Sequence, residues 1–267
     1  DGTNDAYVVW RTIDAGGLRN VSCSRSTDNG VTWSPQADLD STDIAPEDFN
    51  PGNDRISTSP ALDVNNATGQ VFVVYQRNNA VGTGDIAFRT FTGACAAAAP
   101  VLINSNPGND RYQWYPSITV DQASGQVAAI WLDQDPEDSG DLTEAMVTKS
   151  TNNGTSWTPP TPLLDAPFHA GYGNDGSQPN MGDYNQAVFV NGILHSTWGA
   201  TSTRVRYDSG QPTSGSTFTP DTYYDKRVMS DQIIPLRFRS QTTAEASCNA
   251  LGNTFLDPTE SVNLTVT

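Results

Sequence analysis

The sequence predicts an all-β fold, a β-propeller of four-stranded antiparallel blades with four recognisable blade cores, and three observations predict it. A block of residues repeats letter for letter along the chain. Short apolar strands that end in an aromatic residue recur at comparable spacing. Asn, Asp, Gly, Ser, Thr and Pro fill the stretches between them, the texture of many short strands joined by turns.

The repeat is the first element to justify, because a missed period misassigns the whole fold. Asn50-Pro51-Gly52-Asn53-Asp54-Arg55 recurs as Asn106-Pro107-Gly108-Asn109-Asp110-Arg111, 56 residues further on. At the same offset Ser59-Pro60-Ala61-Leu62-Asp63-Val64 answers Tyr115-Pro116-Ser117-Ile118-Thr119-Val120, and Thr68-Gly69-Gln70 answers Ser124-Gly125-Gln126. Each Gly-Gln turn leads into an apolar strand, Val71-Phe72-Val73-Val74-Tyr75 and then Val127-Ala128-Ala129-Ile130-Trp131. Ala6-Tyr7-Val8-Val9-Trp10 and Ile193-Leu194-His195-Ser196-Thr197-Trp198 are further copies. The closing aromatics are 65, 56 and 67 residues apart, which suits one four-stranded sheet per repeat. Compact propeller repeats run to roughly 40 to 50 residues, so these are long ones.

Near-continuous apolar strands indicate burial on both faces, as for a strand between two neighbouring sheets. The runs are too short for helices, rich in β-branched and aromatic residues, and bracketed by Gly or Asn. The second repeat reads as strands at Pro60 to Val64, Val71 to Gln76, Asp85 to Phe91 and Val101 to Asn104. The third reads as Pro116 to Val120, Val127 to Leu132, Leu142 to Lys149 and a short last strand near Leu163. The first repeat lacks its opening strand, since only five residues precede Ala6. Met181-Gly182-Asp183-Tyr184-Asn185 leads the fourth, as a tight turn entering a strand.

Two turns carry a sharper signal. In Ser26-Thr27-Asp28-Asn29-Gly30-Val31-Thr32-Trp33 and Ser150-Thr151-Asn152-Asn153-Gly154-Thr155-Ser156-Trp157, the Asp28 or Asn152 side chain accepts N–H bonds across the turn. Gly30 and Gly154 take a backbone conformation closed to other residues, and Trp33 and Trp157 fold back as plugs. The first copy resembles the Asp-box, Ser-x-Asp-x-Gly-x-Thr-Trp, of the sialidase-like (BNR-repeat) propellers of secreted bacterial proteins; the second matches with Asn152 in place of Asp. The resemblance implies a structural role for Ser26, Asp28, Gly30, Trp33, Ser150, Asn152, Gly154 and Trp157, on the rim away from any active site.

The same resemblance defines what catalysis would need. Sialidases clamp the substrate carboxylate with three arginines and use a Tyr–Glu nucleophile pair with an Asp as acid/base; a bidentate guanidinium grip explains the arginines. The aromatic-Arg-Ile-Pro motif that carries the first of them is absent, Thr58 and Trp114 standing two places before Pro60 and Pro116. Arg55 and Arg111 precede those strands and are the candidate anion-binding pair, with a salt bridge from each to Asp54 or Asp110, or to a loop carboxylate, as the competing role. Tyr184, Tyr223 and Tyr224 with Glu144 are the candidate nucleophile set, though nothing in the spacing positions them. His169 and His195 lie far apart, and neither Gly-x-Ser-x-Gly nor His-Glu-x-x-His occurs. The loop Asp133-Gln134-Asp135-Pro136-Glu137-Asp138-Ser139-Gly140-Asp141 has the oxygen density of a calcium site, through Asp133, Asp135, Asp138 and Asp141, but not EF-hand spacing; a solvated acidic hairpin is the alternative, and no cofactor is required.

Composition bounds the partners. A net charge of −16, with Lys149 and Lys226 the lysines, repels nucleic acid and anionic membranes. No apolar run reaches the roughly 18 residues of a membrane helix, and no charged-then-apolar leader opens the chain, so a trimmed secreted or cell-surface protein is expected. Cys23, Cys95 and Cys248 match no metal spacing and allow one intramolecular disulfide. Sequons at Asn20, Asn66, Asn153 and Asn263 fit a glycosylated exterior.

The chain divides at about residue 240, with residues 1–240 the propeller and 241–267 a linker and strand. The segment from Cys248 to Thr267, with Asp257-Pro258-Thr259-Glu260 before Val262 to Thr267, resembles the entry to an immunoglobulin-like module of bacterial surface proteins. A lone strand is unstable in water and must pair, with the unfinished first blade, a missing module or another copy. The functional expectation is a non-catalytic extracellular propeller. It would bind a glycan or protein ligand, or self-assemble through that strand as a surface or filament subunit. The alternative is a sialidase-like glycoside hydrolase with a divergent site.

Overall fold

The computed structural model describes residues 4–41, 58–79, 83–96, 98–108, 111–134, 142–164, 167–170, 185–201 and 220–229. These form four antiparallel sheets, one per repeat and in chain order. The first holds β1 (Ala6–Ile13), β2 (Arg19–Ser26) and β3 (Ala37–Asp40); the second holds β4 (Ala61–Asn65), β5 (Gln70–Asn78), β6 (Gly84–Thr92) and β7 (Val101–Leu102). The third holds β8 (Gln113–Val120), β9 (Val127–Asp133), β10 (Leu142–Ser150) and β11 (Thr161–Pro162), with β12 (Phe168–His169) on the far part of β10. The fourth holds β13 (Gln186–Val190), β14 (Ile193–Thr201) and β15 (Pro220–Val228).

Strands meet their neighbours in sequence, so each sheet is a meander closed by tight turns. By register, β1 aligns with β5, β9 and β14 as the second strand of its repeat, and the described first sheet has no opening strand. Two strand ends differ from expectation. The last strand of the second repeat ends at Leu102, although the Ile103 N–H still reaches the Ile86 carbonyl at 2.9 Å. The opening strand of the third begins earlier, at Gln113, and bulges between Trp114 and Ser117. Pro116 has no N–H for the ladder and Tyr115 takes φ 49°, so the pairing skips two residues there.

The continuous apolar strands are explained by the packing of successive sheets. Val71, Val73 and Tyr75 of β5 join Val21, Cys23 and Leu39 of the first sheet, while Phe72 and Val74 join Ile118, Val127 and Trp131 of the third. Ala128, Ile130 and Leu132 of β9 then meet Leu194, Trp198 and Ala200 of β14. Each strand therefore serves two cores, one per face, and each large side chain so buried stabilises by about 1.5–3 kcal/mol. The closing aromatics Tyr75, Trp131 and Trp198 all turn toward the preceding sheet.

Polar ties reinforce this stacking. Cys23 on β2 is bonded to Cys95 beyond β6, the one disulfide that the cysteine count allowed. The Asp121 carboxylate, in the turn after β8, accepts the Asn191 N–H at 3.1 Å and the Gly192 N–H at 2.9 Å from the matching turn of the fourth sheet. Burial acts to raise its pKa, but the Ser124 hydroxyl and the Ala123, Gly192 and Asn191 N–H groups outweigh that and hold the carboxyl below the usual range.

Candidate functional site

The two glycine turns share one bonding scheme. Ser26 Oγ accepts the Gly30 N–H at 2.8 Å and donates to Asp28 Oδ1, which also takes the Thr32 N–H at 2.8 Å. Ser150 Oγ accepts the Gly154 N–H at 2.8 Å and donates to Asn152 Oδ1, which takes the Ser156 N–H at 2.9 Å. The difference lies at the second side-chain atom. Thr32 Oγ1 donates to Asp28 Oδ2 at 2.6 Å, whereas Asn152 Nδ2 donates to Ser156 Oγ at 2.8 Å. The Thr32 hydroxyl, the Thr32 N–H and the Ser26 hydroxyl hold the Asp28 carboxyl down to about 2. Trp157 packs edge-on against Phe88 of the second sheet at 4.9 Å, while Trp33 is 45% exposed with its indole N–H on the Gly30 carbonyl.

At the opposite ends of the second and third sheets, buried carboxylates are tied into the framework. Asn104 Nδ2 donates to Asp85 Oδ1 at 3.0 Å and to Gln113 Oε1 at 3.2 Å. Gln113 Nε2 in turn donates to Asp133 Oδ1 at 3.2 Å, and the Trp131 indole N–H donates to Asp133 Oδ2 at 2.9 Å. Asp85, Asn104, Gln113 and Asp133 are all buried. Between the first and second sheets, Asp40 accepts from Tyr75 Oη at 2.7 Å and Arg77 Nε at 3.1 Å and forms an ion pair with Arg89 Nη2 at 3.4 Å. Burial foremost, and then the Asp40 carboxylate, push the Tyr75 phenol up. Tyr75 is thereby a hydrogen-bond donor to Asp40, and its hydroxyl also accepts the Arg89 Nε–H at 2.8 Å.

An open cleft of about 400 Å³ runs where the first strands of three sheets converge. Its walls are Ala61 to Asp63 of β4, Ser117 to Val120 of β8 and Gln186 to Val190 of β13, with Gln122 at the turn. Among the described residues that line it, Asp63 is the carboxylate and none is an arginine. Asp63 Oδ2 already accepts the Val120 N–H at 2.8 Å, Thr119 Oγ1 accepts the Phe189 N–H at 3.1 Å, and Gln122 bridges Val64 and Asn66. Val188 and Val190 present exposed apolar surface along one wall. Nothing in the sequence pattern marked this cleft, because it is assembled from residues of three repeats.

The described site residues fall as follows. Asp133 ends β9, opposite Gln113 and Glu144, and both its oxygens are engaged within the fold. Asn20 lies in β2 at 7% exposure; Asn66 and Asn153 sit in exposed turns. Arg111 is half-buried just before β8. Tyr223 stacks on Trp198 and Tyr224 on His195, both on the fourth sheet, whereas Glu144 is on β10 of the third. Arg55, Asp135, Asp138, Asp141, Tyr184, Cys248, Asn263 and the strand Val262 to Thr267 lie outside the described residues. Among the described residues no group of three or more His, Cys, Asp or Glu could hold a metal ion, and no helix is long and apolar enough to cross a membrane.

No family model and no curated protein matches the chain. Among solved structures it is similar to a sialidase, Hz136, of Hadza microbial origin, at 12% identity over 76% of this chain and 45% of that one, with a TM-score of 0.40. It is similar to an α-L-arabinofuranosidase of Fusarium graminearum at 14% identity over 84% and 59%, TM-score 0.47. A family-43 endo-arabinanase of Bacillus licheniformis is similar at 14% identity over 85% and 69%, TM-score 0.40. The chain thus spans 45% of the length of the first of these structures and 62% of a thermostable family-43 glycoside hydrolase that it also resembles.

Proposed function

We propose that the protein is an extracellular, non-catalytic binding module of propeller type, built on Asp-box turns, that takes a neutral glycan in the cleft between β4, β8 and β13. The observation that carries this reading is the lining of the cleft. Hydrolysis of a glycosidic bond needs two carboxyl groups facing each other across the substrate. Among the described residues lining the cleft the carboxylate is Asp63, and that side chain is already bonded to a backbone amide. An acidic sugar would call for a guanidinium clamp, which the described lining residues do not supply, and the net charge of −16 repels anions. Ser117 and Gln186 offer the hydroxyl and amide groups that suit sugar hydroxyls, and Val188 and Val190 offer apolar surface for the C–H face of a ring.

Titration calorimetry with neutral and sialylated oligosaccharides tests the reading. Neutral chains are expected to bind, and Gln186→Ala with Val188→Ser to weaken them about tenfold, in line with the loss of about 1.4 kcal/mol. Turnover of an aryl glycoside, or preference for sialylated chains, decides instead for the hydrolase alternative. The strand-pairing role of Val262 to Thr267 remains a separate proposal, tested by deleting those residues and following fibre formation.

A further inference from the structure

The contacts between successive sheets follow one rule. Phe88 lies opposite Val74, the residue before the closing aromatic Tyr75, and the turn of the next sheet docks on it: Trp157 meets its ring, and a methyl group at Gly154 would overlap that ring. Cys23 occupies the same register in the first sheet, opposite Val9 and next to Trp10, and the turn of the second sheet reaches it through Cys95. Val147 occupies it in the third, opposite Ile130 and next to Trp131, and Met229 at the end of β15 shares its cluster. Aromatic pair, disulfide and aliphatic contact are three chemistries for one joint, a socket on the third strand filled from the following sheet.

The rule leaves two halves exposed. Tyr224 holds the socket register in the fourth sheet, opposite Thr197 and next to Trp198, and it is 58% exposed. Its neighbour Tyr223 faces the third sheet, so Tyr224 faces away from it, along with the exposed Val188 and Val228. At the other end Trp33 is the counterpart of Trp157, and among the described residues a methyl group built at Gly30 would meet the Trp33 ring alone within 4 Å. Val8 shares this face with Trp10, since Tyr7 and Val9 pack on the second sheet, and Val8 is exposed. The described residues of one molecule therefore carry an exposed plug and an exposed socket of the joint used internally.

We propose that the Trp33 turn of one copy docks on the Tyr224 face of a second copy, continuing the sheet-to-sheet stacking from molecule to molecule. The occupant follows from continuity with the internal interface: a second copy supplies the missing half in the right register on a sheet of the same kind. Such a contact is heterologous, with different surfaces on the two sides, so it propagates or closes into a ring. Trp33 and Tyr224 are not cleft residues, although Val188 borders both surfaces, so the serine variants at those two positions test the joint apart from the glycan reading.

Sedimentation velocity of the full chain, in salt that screens its strong negative charge, is expected to show concentration-dependent association. Trp33→Ser and Tyr224→Ser are each expected to abolish it, and Trp33→Phe to retain it, with thermal melts showing that all three fold. An equimolar mixture of the two serine variants keeps one intact plug and one intact socket per pair. It is therefore expected to regain association that stops at the dimer. A monomer at every concentration, association that survives either serine substitution, or a mixture that regains nothing overturns the proposal.

Discussion

Asp28 and Asn152 occupy the same place in two copies of one turn, yet only Asp28 can titrate. Its carboxylate accepts from Ser26 and doubly from Thr32, which depresses its pKa to about 2. A depressed carboxyl contributes stability in full above the unfolded value of about 3.9, and that contribution fades as pH falls through the folded value. Acid melts between those limits are expected to fall less steeply for Asp28→Asn than for the parent chain. Equal slopes would mean that Asp28 does not couple to folding. At neutral pH the substitution is expected to be mild, because Asn152 closes the same turn with its amide turned toward Ser156.

At the scale of the element, the two turns differ in what they touch. Gly30 and Gly154 have φ near +85° and +81°, so an alanine is strained at either place, by about 1–2 kcal/mol. Only at Gly154 does the added methyl also run into a neighbouring sheet, through the Phe88 ring. Denaturant titration is expected to show Gly154→Ala more destabilising than Gly30→Ala by a further 1–3 kcal/mol or so, the usual range for overpacking. Comparable losses would show that the Gly154 turn is not pressed on the second sheet. The sequence made the turns legible but not this asymmetry, because Gly154 and Phe88 belong to different repeats.

Across the whole molecule, separate sheets are held by cores and by a few long-range ties. Cys23 and Cys95 are 72 positions apart, and closing a loop of that length removes unfolded-chain entropy equivalent to about 4 kcal/mol. Reduction, or Cys23→Ser with Cys95→Ser, is expected to lower the melting temperature by many degrees. Phe88 and Trp157 hold the next joint without a covalent bond, so reduction should loosen the first sheet before the third. Amide exchange in β2 against β9 distinguishes that order from uniform loosening.

What the sequence determined by itself was local. The repeat, the apolar runs and the Gly-bracketed turns each depend on residues within a few positions of one another, and strand period and turn chemistry are set at that range. So the strands from Ala61 to Val147 are legible in the sequence to within a few residues. Tertiary structure alone decided which faces meet and which polar groups are consumed. Tyr75 finds Asp40 across 35 positions, and Asp121 finds Gly192 across 71. The acidic residue Asp133, legible in sequence only as part of a charged loop, becomes a buried acceptor once Gln113 and Trp131 reach it. The cleft likewise exists only where three repeats converge, since a single repeat contributes one wall and no enclosure.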